Sequence, residues 1–169
     1  MRLTSCENCY RRGTATHRSP PPAFDLRLPA LDPRPPTPDL RRLPMASHHS
    51  PAFLKLVDDA KTRVREVSVE ATRARLGTRP APVLIDTREE SEWHAGHAAG
   101  AVHLGKGIIE RDIEARVPDK DTEIILYCGG GFRSALAGDA LQQMGYTNVF
   151  SMAGGWRAWQ AAGAPVERG

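Results

Sequence analysis

The chain is poor in cysteine, with three in 169 residues, and poor in aromatic side chains, at 6%. A small and odd cysteine count argues against a disulfide-stapled secreted domain and points to a reducing compartment, the cytoplasm. No stretch approaches the roughly 18 consecutive apolar residues that cross a bilayer, so no membrane partner is expected. The N-terminus also lacks the apolar core of about 7–15 residues that marks a secretory signal. Lysine is absent from the first 44 residues, where eight Arg stand against four acids. The remaining residues carry 15 basic and 16 acidic side chains. The net charge of +3 therefore belongs to the leader, and a near-neutral remainder argues against a nucleic-acid partner.

Proline and glycine are present in quantity but are sorted along the chain. Nine of the 14 prolines precede residue 45, and 14 of the 15 glycines follow it. Proline at that density blocks helix interiors and biases its neighbours toward extended backbone, so residues 1–49 read as a disordered or polyproline-like leader. Met45 opens a natural alternative start just before the first patterned segment. Ser50-Pro51 then supplies a helix cap followed by proline at the first helical position. Phe53, Val57, Ala60 and Val64 recur on one face, which predicts an amphipathic helix over 50–66. Residues 67–169 form the expected catalytic domain.

Within that domain short apolar runs alternate with helical patterns. Ser68 caps a helix over Val69–Leu76 that Gly77 ends. Val83-Leu84-Ile85 is a strand, and Thr87 to Glu90 fits a capping box for a short helix containing Trp93. Ala101–Leu104 is a further strand, followed by a helix over Ile108–Val117. The unbroken run Ile124–Tyr127 suits a central parallel strand covered on both faces. Leu136, Ala140, Leu141 and Met144 form a helical stripe, Val149–Met152 a last strand and Trp156–Ala162 a last helix. Strands separated by helices imply an α/β fold with an open, mostly parallel sheet and helices on both faces.

One segment carries chemistry. Cys128-Gly129-Gly130-Gly131-Phe132-Arg133-Ser134 joins the central strand to the helix bearing Leu136, the place where open α/β sheets bind ligands. Cys128 faces a helix N-terminus, whose free N–H groups stabilise an anion. Three glycines allow backbone amides to converge on one point. Arg133 adds a permanent positive charge. Together these are expected to lower the thiol pKa and present a thiolate nucleophile that needs no general base. A buried structural cysteine beside a plain glycine turn is the alternative at this point.

Cys128 to Arg133 resembles the C-x-x-G-x-R loop of rhodanese-type sulfurtransferases. Leu84-Ile85-Asp86-Thr87-Arg88 resembles their L-I-D-V-R strand end, with Thr87 in place of Val. Glu92 to Ala101 resembles their E-(aromatic)-x-x-G-H-I-P-G-A segment, with Ala98-Ala99 in place of Ile-Pro. Gly154 to Trp159 and Ala162 to Val166 resemble their closing segments. The resemblance, from about Val67 to Val166, implies a rhodanese-like fold and a Cys128 persulfide formed from thiosulfate or a related small anionic donor. A thiol, or cyanide in an assay, is then the acceptor. It further implies that the amides of Gly129, Gly130, Gly131, Phe132 and Arg133, with Ser134, hold the transferred sulfur, that Arg133 binds the donor, and that Asp86 and Arg88 support the loops. This chemistry calls for no cofactor and no metal. Two other readings remain: a cysteine-based phosphatase or arsenate reductase, which uses a longer C-x5-R loop, and a rhodanese-fold interaction module without turnover.

Other conspicuous residues are assigned to structure. Cys6-x-x-Cys9 with His17 has redox or metal spacing but lacks four ligands on an ordered scaffold. His48 and His49 read as solvated linker, His94 and His103 as surface or turn residues, and His97 as support for the sheet edge. Trp93, Trp156 and Trp159 read as packing residues, with Trp156 able to border the pocket. If Met45 is the native start, the intact mass of natively expressed protein will lack residues 1–44; a product beginning at Met1 overturns that expectation.

Overall fold

Helix-start chemistry and apolar alternation account for most of the elements. The structure, a computed structural model, describes residues 49–168. The leader expectation, the Met45 start and the Cys6-x-x-Cys9 motif therefore lie outside the described residues, apart from His49. Helix α1 spans Pro51–Lys61, with the Ser50 hydroxyl accepting from the Phe53 amide at 3.2 Å. The helix is shorter than the 50–66 segment the sequence suggests. Val64 turns into the core, and Arg65–Val67 forms strand β1, paired in parallel with Phe150–Met152. Ladder hydrogen bonding outweighs continued helical periodicity there.

Helix α2 (Val69–Leu76) is capped by Ser68 as expected, but Gly77 ends it in ordinary right-handed conformation rather than the left-handed one. Strand β2 (Val83–Asp86) leads to α3 (Glu90–Ala95), β3 (His97–Ala98), β4 (Val102–His103) and α4 (Ile109–Arg116). The capping box of α3 sits two residues later than Thr87–Glu90 would place it. Glu89 is the cap, and the Glu92 carboxylate accepts from the Glu89 amide at 3.2 Å. Thr87 is occupied elsewhere: its buried hydroxyl donates to the Tyr127 carbonyl at 3.0 Å. Strand β5 (Ile124–Tyr127), α5 (Phe132–Gln143), β6 (Val149–Met152), α6 (Gly155–Ala161) and β7 (Val166–Glu167) complete the chain.

The main sheet has the order β1-β6-β5-β2-β4 and is parallel throughout, with β5 at its centre. Alternation along β5 divides the core. Ile124 and Leu126 pack with Ile109 and Ile113 of α4 and Ala137 and Leu141 of α5. Ile125 and Tyr127 face Val69 of α2 and Trp159 of α6. Helices thus cover both faces, as a parallel sheet requires. The buried side of α5 is Ser134, Ala135, Ala137, Gly138 and Leu141 rather than the expected stripe, in which Leu136 and Ala140 stay half-buried. Small residues let α1 and the sheet approach closely, and a Cβ on Gly138 would lie 2.8 Å from Val64 Cγ1. A small antiparallel pair, β3 with β7, lies outside the expected strands. Ala99, where the resembled segment has proline, donates its amide to Pro165 at 3.0 Å, a bond proline cannot make.

The turn before α6 sets the back wall of the loop after β5. Gly155 has φ 56°, and a Cβ built on it would overlap the Cys128 carbonyl. Gly163 has nearly the same φ, 59°, but open space around it. Gly163→Ala therefore carries only left-handed backbone strain, about 1–2 kcal/mol, while Gly155→Ala adds overpacking of about 1–3 kcal/mol. Thermal melts should show a larger loss for Gly155→Ala; equal losses would mean that the close approach contributes nothing.

Candidate active site

Cys128 follows directly on β5 and is 1% exposed. The loop turns through Gly131, at φ 90°, into the first turn of α5. This turn aims amides back at the sulfur, and the Gly131 N–H donates to Cys128 Sγ at 3.2 Å. The Ser134 hydroxyl lies 3.7 Å from Sγ and 2.8 Å from the Ser151 hydroxyl on β6. Burial pushes the thiol pKa up, but the amides of Ser134, Gly130 and Gly131 and the Ser134 hydroxyl pull it further down, so its value lies below the usual thiol range. Both serines are fully buried. Ser151 was not singled out by the sequence, where it is a polar residue in an otherwise apolar strand.

The back of the loop is fastened by α6. The Trp156 amide donates to the Cys128 carbonyl at 2.6 Å, and the Arg157 amide and Nε donate to the Gly129 carbonyl at 3.3 and 3.2 Å. Arg133 sits at the rim, where Glu92 Oε2 and Oε1 grip its guanidinium at 2.7 and 3.0 Å. That ion pair holds the Glu92 carboxyl below its ordinary range and favours the charged form of Arg133. Cys128 also contributes to the field on Arg133.

Asp86 and Arg88 form a separate buried unit at the end of β2. Arg88 donates to both oxygens of Asp86, with Nη2 at 2.6 Å, and Nη2 also reaches the Gly96 carbonyl at 2.7 Å. Burial opposes the charge on Arg88, and the Asp86 carboxylate outweighs it. The guanidinium lies 4.6 Å from the Trp156 ring. Burial, with Asp86 nearby, raises the Tyr127 phenol, whose oxygen accepts from the Ala98 amide at 3.0 Å. Neither Asp86 nor Arg88 lines the space over the cysteine.

That space is a pocket of about 350 Å³ bounded by Cys128, Gly129, Gly130, Phe132 and Arg133, together with His49, Phe53 and Arg157. The last three were not expected. His49 is exposed and precedes α1, as the linker reading expects, but its ring also lies 4.9 Å from Phe53 and 4.6 Å from Phe132. Phe53, whose spacing marked it as a core residue of α1, faces the pocket instead. Trp156 does not line the pocket; it packs with Tyr127 beneath Arg88. His97 is buried on β3 and stacks on Trp93 at 3.4 Å, while His103 Nε2 donates to the Arg88 carbonyl at 3.0 Å. Another cavity, about 470 Å³ and lined by His103, Ile108 and Arg111, contains no cysteine.

Comparison with known proteins places these observations. The family model for the rhodanese-like domain matches residues 68–162. A sulfurtransferase of Allochromatium vinosum is 32% identical over 103 residues, covering 61% of this chain and 94% of that protein. The crystal structure of a thiosulfate sulfurtransferase from Pseudomonas aeruginosa matches with a TM-score of 0.63 at 26% identity, over 70% of this chain and 22% of that one. A Rhodopseudomonas palustris structure described as a possible tyrosine phosphatase matches with a TM-score of 0.62 at 27% identity, over 73% of this chain and 99% of that one. Some relatives are longer, and the chain spans 51% of one Bacillus subtilis protein.

The lowered thiol pKa has a direct readout. Alkylation of Cys128 by iodoacetamide, followed on its own peptide by mass spectrometry, should rise with pH through a midpoint below the roughly 8.5 of a free thiol. Ser134→Ala removes a donor to the thiolate and should move that midpoint up. A midpoint at or above the free-thiol value in the parent protein would contradict the cradle's effect.

Proposed function

The chain belongs to the rhodanese-like family, and from that premise we propose that Cys128 carries a sulfane sulfur from a small anionic donor to a thiol acceptor. The observation that supports this most is the thiol itself, buried at the end of β5, with the Gly131 amide 3.2 Å from Sγ and further donors from Gly130 and Ser134. A cradle that stabilises charge on one sulfur suits a persulfide, in which the charge moves one atom outward and stays beside the same amides.

The steps follow covalent catalysis. The Cys128 thiolate attacks the outer sulfur of thiosulfate, and a sulfur–sulfur bond forms at Sγ. The bond between the two sulfurs of thiosulfate breaks, and sulfite leaves with the electron pair. The acceptor thiol then takes the outer sulfur as its own persulfide, and Cys128 returns as thiolate. No general base is required, because the amides and the Ser134 hydroxyl already favour the charged form. Gly129 to Arg133 shape the loop, while Asp86 and Arg88 hold the Gly96 carbonyl and the face of Trp156, whose amide fastens Cys128.

Phosphate chemistry is the less suitable reading. Four residues separate Cys128 from Arg133, one fewer than in the C-x5-R loops that enclose a tetrahedral oxyanion. The Arg133 guanidinium is also gripped by Glu92. Incubation with thiosulfate should add one sulfur atom to the protein by intact mass and release sulfite. Cys128→Ser should abolish both. Sulfur uptake that survives the substitution would sink the proposal, and hydrolysis of p-nitrophenyl phosphate without sulfur uptake would replace it with phosphatase chemistry.

A further inference from the structure

The pocket over Cys128 is larger and more apolar than thiosulfate needs. Its volume of about 350 Å³ falls in the range of ~300–1,000 Å³ typical of sites for small organic molecules. One wall is aromatic. Phe53 and Phe132 lie 6.3 Å apart with His49 against both rings. Inorganic thiosulfate gains nothing from such a wall and loses hydration against it. His49 and Phe53 also precede residue 68, where the family match begins, so this wall is added to the matched domain by the segment around α1.

The two arginines of the rim differ in how their charge is met. Arg133 is gripped by Glu92, and Glu89 stands 3.5 Å away. Arg157 gives its Nε to a neutral carbonyl, that of Gly129, at 3.2 Å. Among the described residues it meets no carboxylate. Its Nη2 occupies the space where a Cβ on Gly130 would be, which brings this end of the guanidinium directly over the cysteine loop. An Arg tied through Nε keeps its Nη donors for an oxyanion.

We propose that the donor is an organic sulfane-sulfur anion, with its oxyanion on Arg157 and its apolar group against Phe53, Phe132 and His49. The inference rests on Cys128 as the sulfur carrier and names the substrate class of that site. With a thiosulfonate, R–SO2–S⁻, the Cys128 thiolate forms a bond to the terminal sulfur and the S–SO2R bond breaks. The sulfinate R–SO2⁻ leaves with the electron pair, so one thiolate and one thiosulfonate become one persulfide anion and one sulfinate. Arg157 contacts the oxygens that become the sulfinate, and Arg133 remains the tether between the loop and α3.

The test separates binding from transfer. In the full chain carrying Cys128→Ser, which cannot take up sulfur, calorimetric titration compares benzenethiosulfonate with thiosulfate. The aryl donor should bind at least roughly tenfold more tightly, the scale of discrimination that modest apolar contact supplies. Phe53→Ala should remove most of that preference, weakening the aryl donor several-fold more than thiosulfate. Arg157→Gln should weaken both donors by about tenfold or more, Arg157→Lys should restore part of the loss, and Arg133→Gln should cost less than Arg157→Gln. Equal binding of the two donors, no binding of either, a larger loss from Arg133→Gln, or an aryl preference untouched by Phe53→Ala would each overturn the inference. Intact-mass sulfur uptake by the parent protein is read separately. Selective binding without uptake would count against sulfur transfer alone, and uptake without selectivity against this inference alone.

Discussion

The hydrogen bond from the Trp156 amide to the Cys128 carbonyl, 2.6 Å long, fastens the end of the central strand to the first turn of α6. It is possible because residue 155 is glycine: any Cβ there would overlap that carbonyl. With the carbonyl drawn backward, the chain after Cys128 has to turn toward α5, and its amides face the sulfur. Gly131 and Gly154 meet in the same place, where a Cβ on Gly131 would stand 3.4 Å from the Gly154 nitrogen. Two glycine turns packed against each other thus hold a cradle that neither could shape alone.

The charges around this clasp serve different ends. The Asp86–Arg88 pair is almost fully buried, and such a pair is retained more for the geometry it imposes than for net stability. Here it spans β2, the Gly96 carbonyl and the face of Trp156, and Trp156 is the residue whose amide holds Cys128. The Glu92–Arg133 pair is more exposed and contributes little to stability by the usual behaviour of such pairs. Its effect is positional: it joins the N-terminal turn of α3 to the start of α5 and occupies a charge that could otherwise turn to a ligand. The leading stabilisers of the thiolate are dipoles rather than ions, and Arg133 adds a charge–charge contribution.

Much of the architecture was legible in the sequence because it follows from local rules. Apolar runs at Val83–Ile85, Ile124–Tyr127 and Val149–Met152, separated by helical patterns, leave few arrangements besides a parallel sheet. The Cys128–Ser134 loop was legible because its residue types and order are informative together. The pieces that were missed depend on distant partners. Arg65–Val67 becomes a strand only because β6 offers a parallel edge, and β3 and β7 are two-residue strands that exist only as a pair. Thr87 has the composition of a helix cap and is claimed by the Tyr127 carbonyl instead. Ser151, Arg157 and the neighbouring pair His49 and Phe53 come to the cysteine from three separate stretches of chain, and no spacing rule connects those stretches.

Gly130 differs from Gly131 in the reason for its lack of a side chain. Its backbone does not take a left-handed turn; what it provides is room for the end of Arg157. Positions 130 and 157 therefore share one volume. A bulkier residue at 130 is compatible with this loop only when residue 157 is shorter or turned away, and a long cation at 157 can lie over the cysteine only when 130 is bare. The two are a linked pair, and the charge above the sulfur is open to change only through both together.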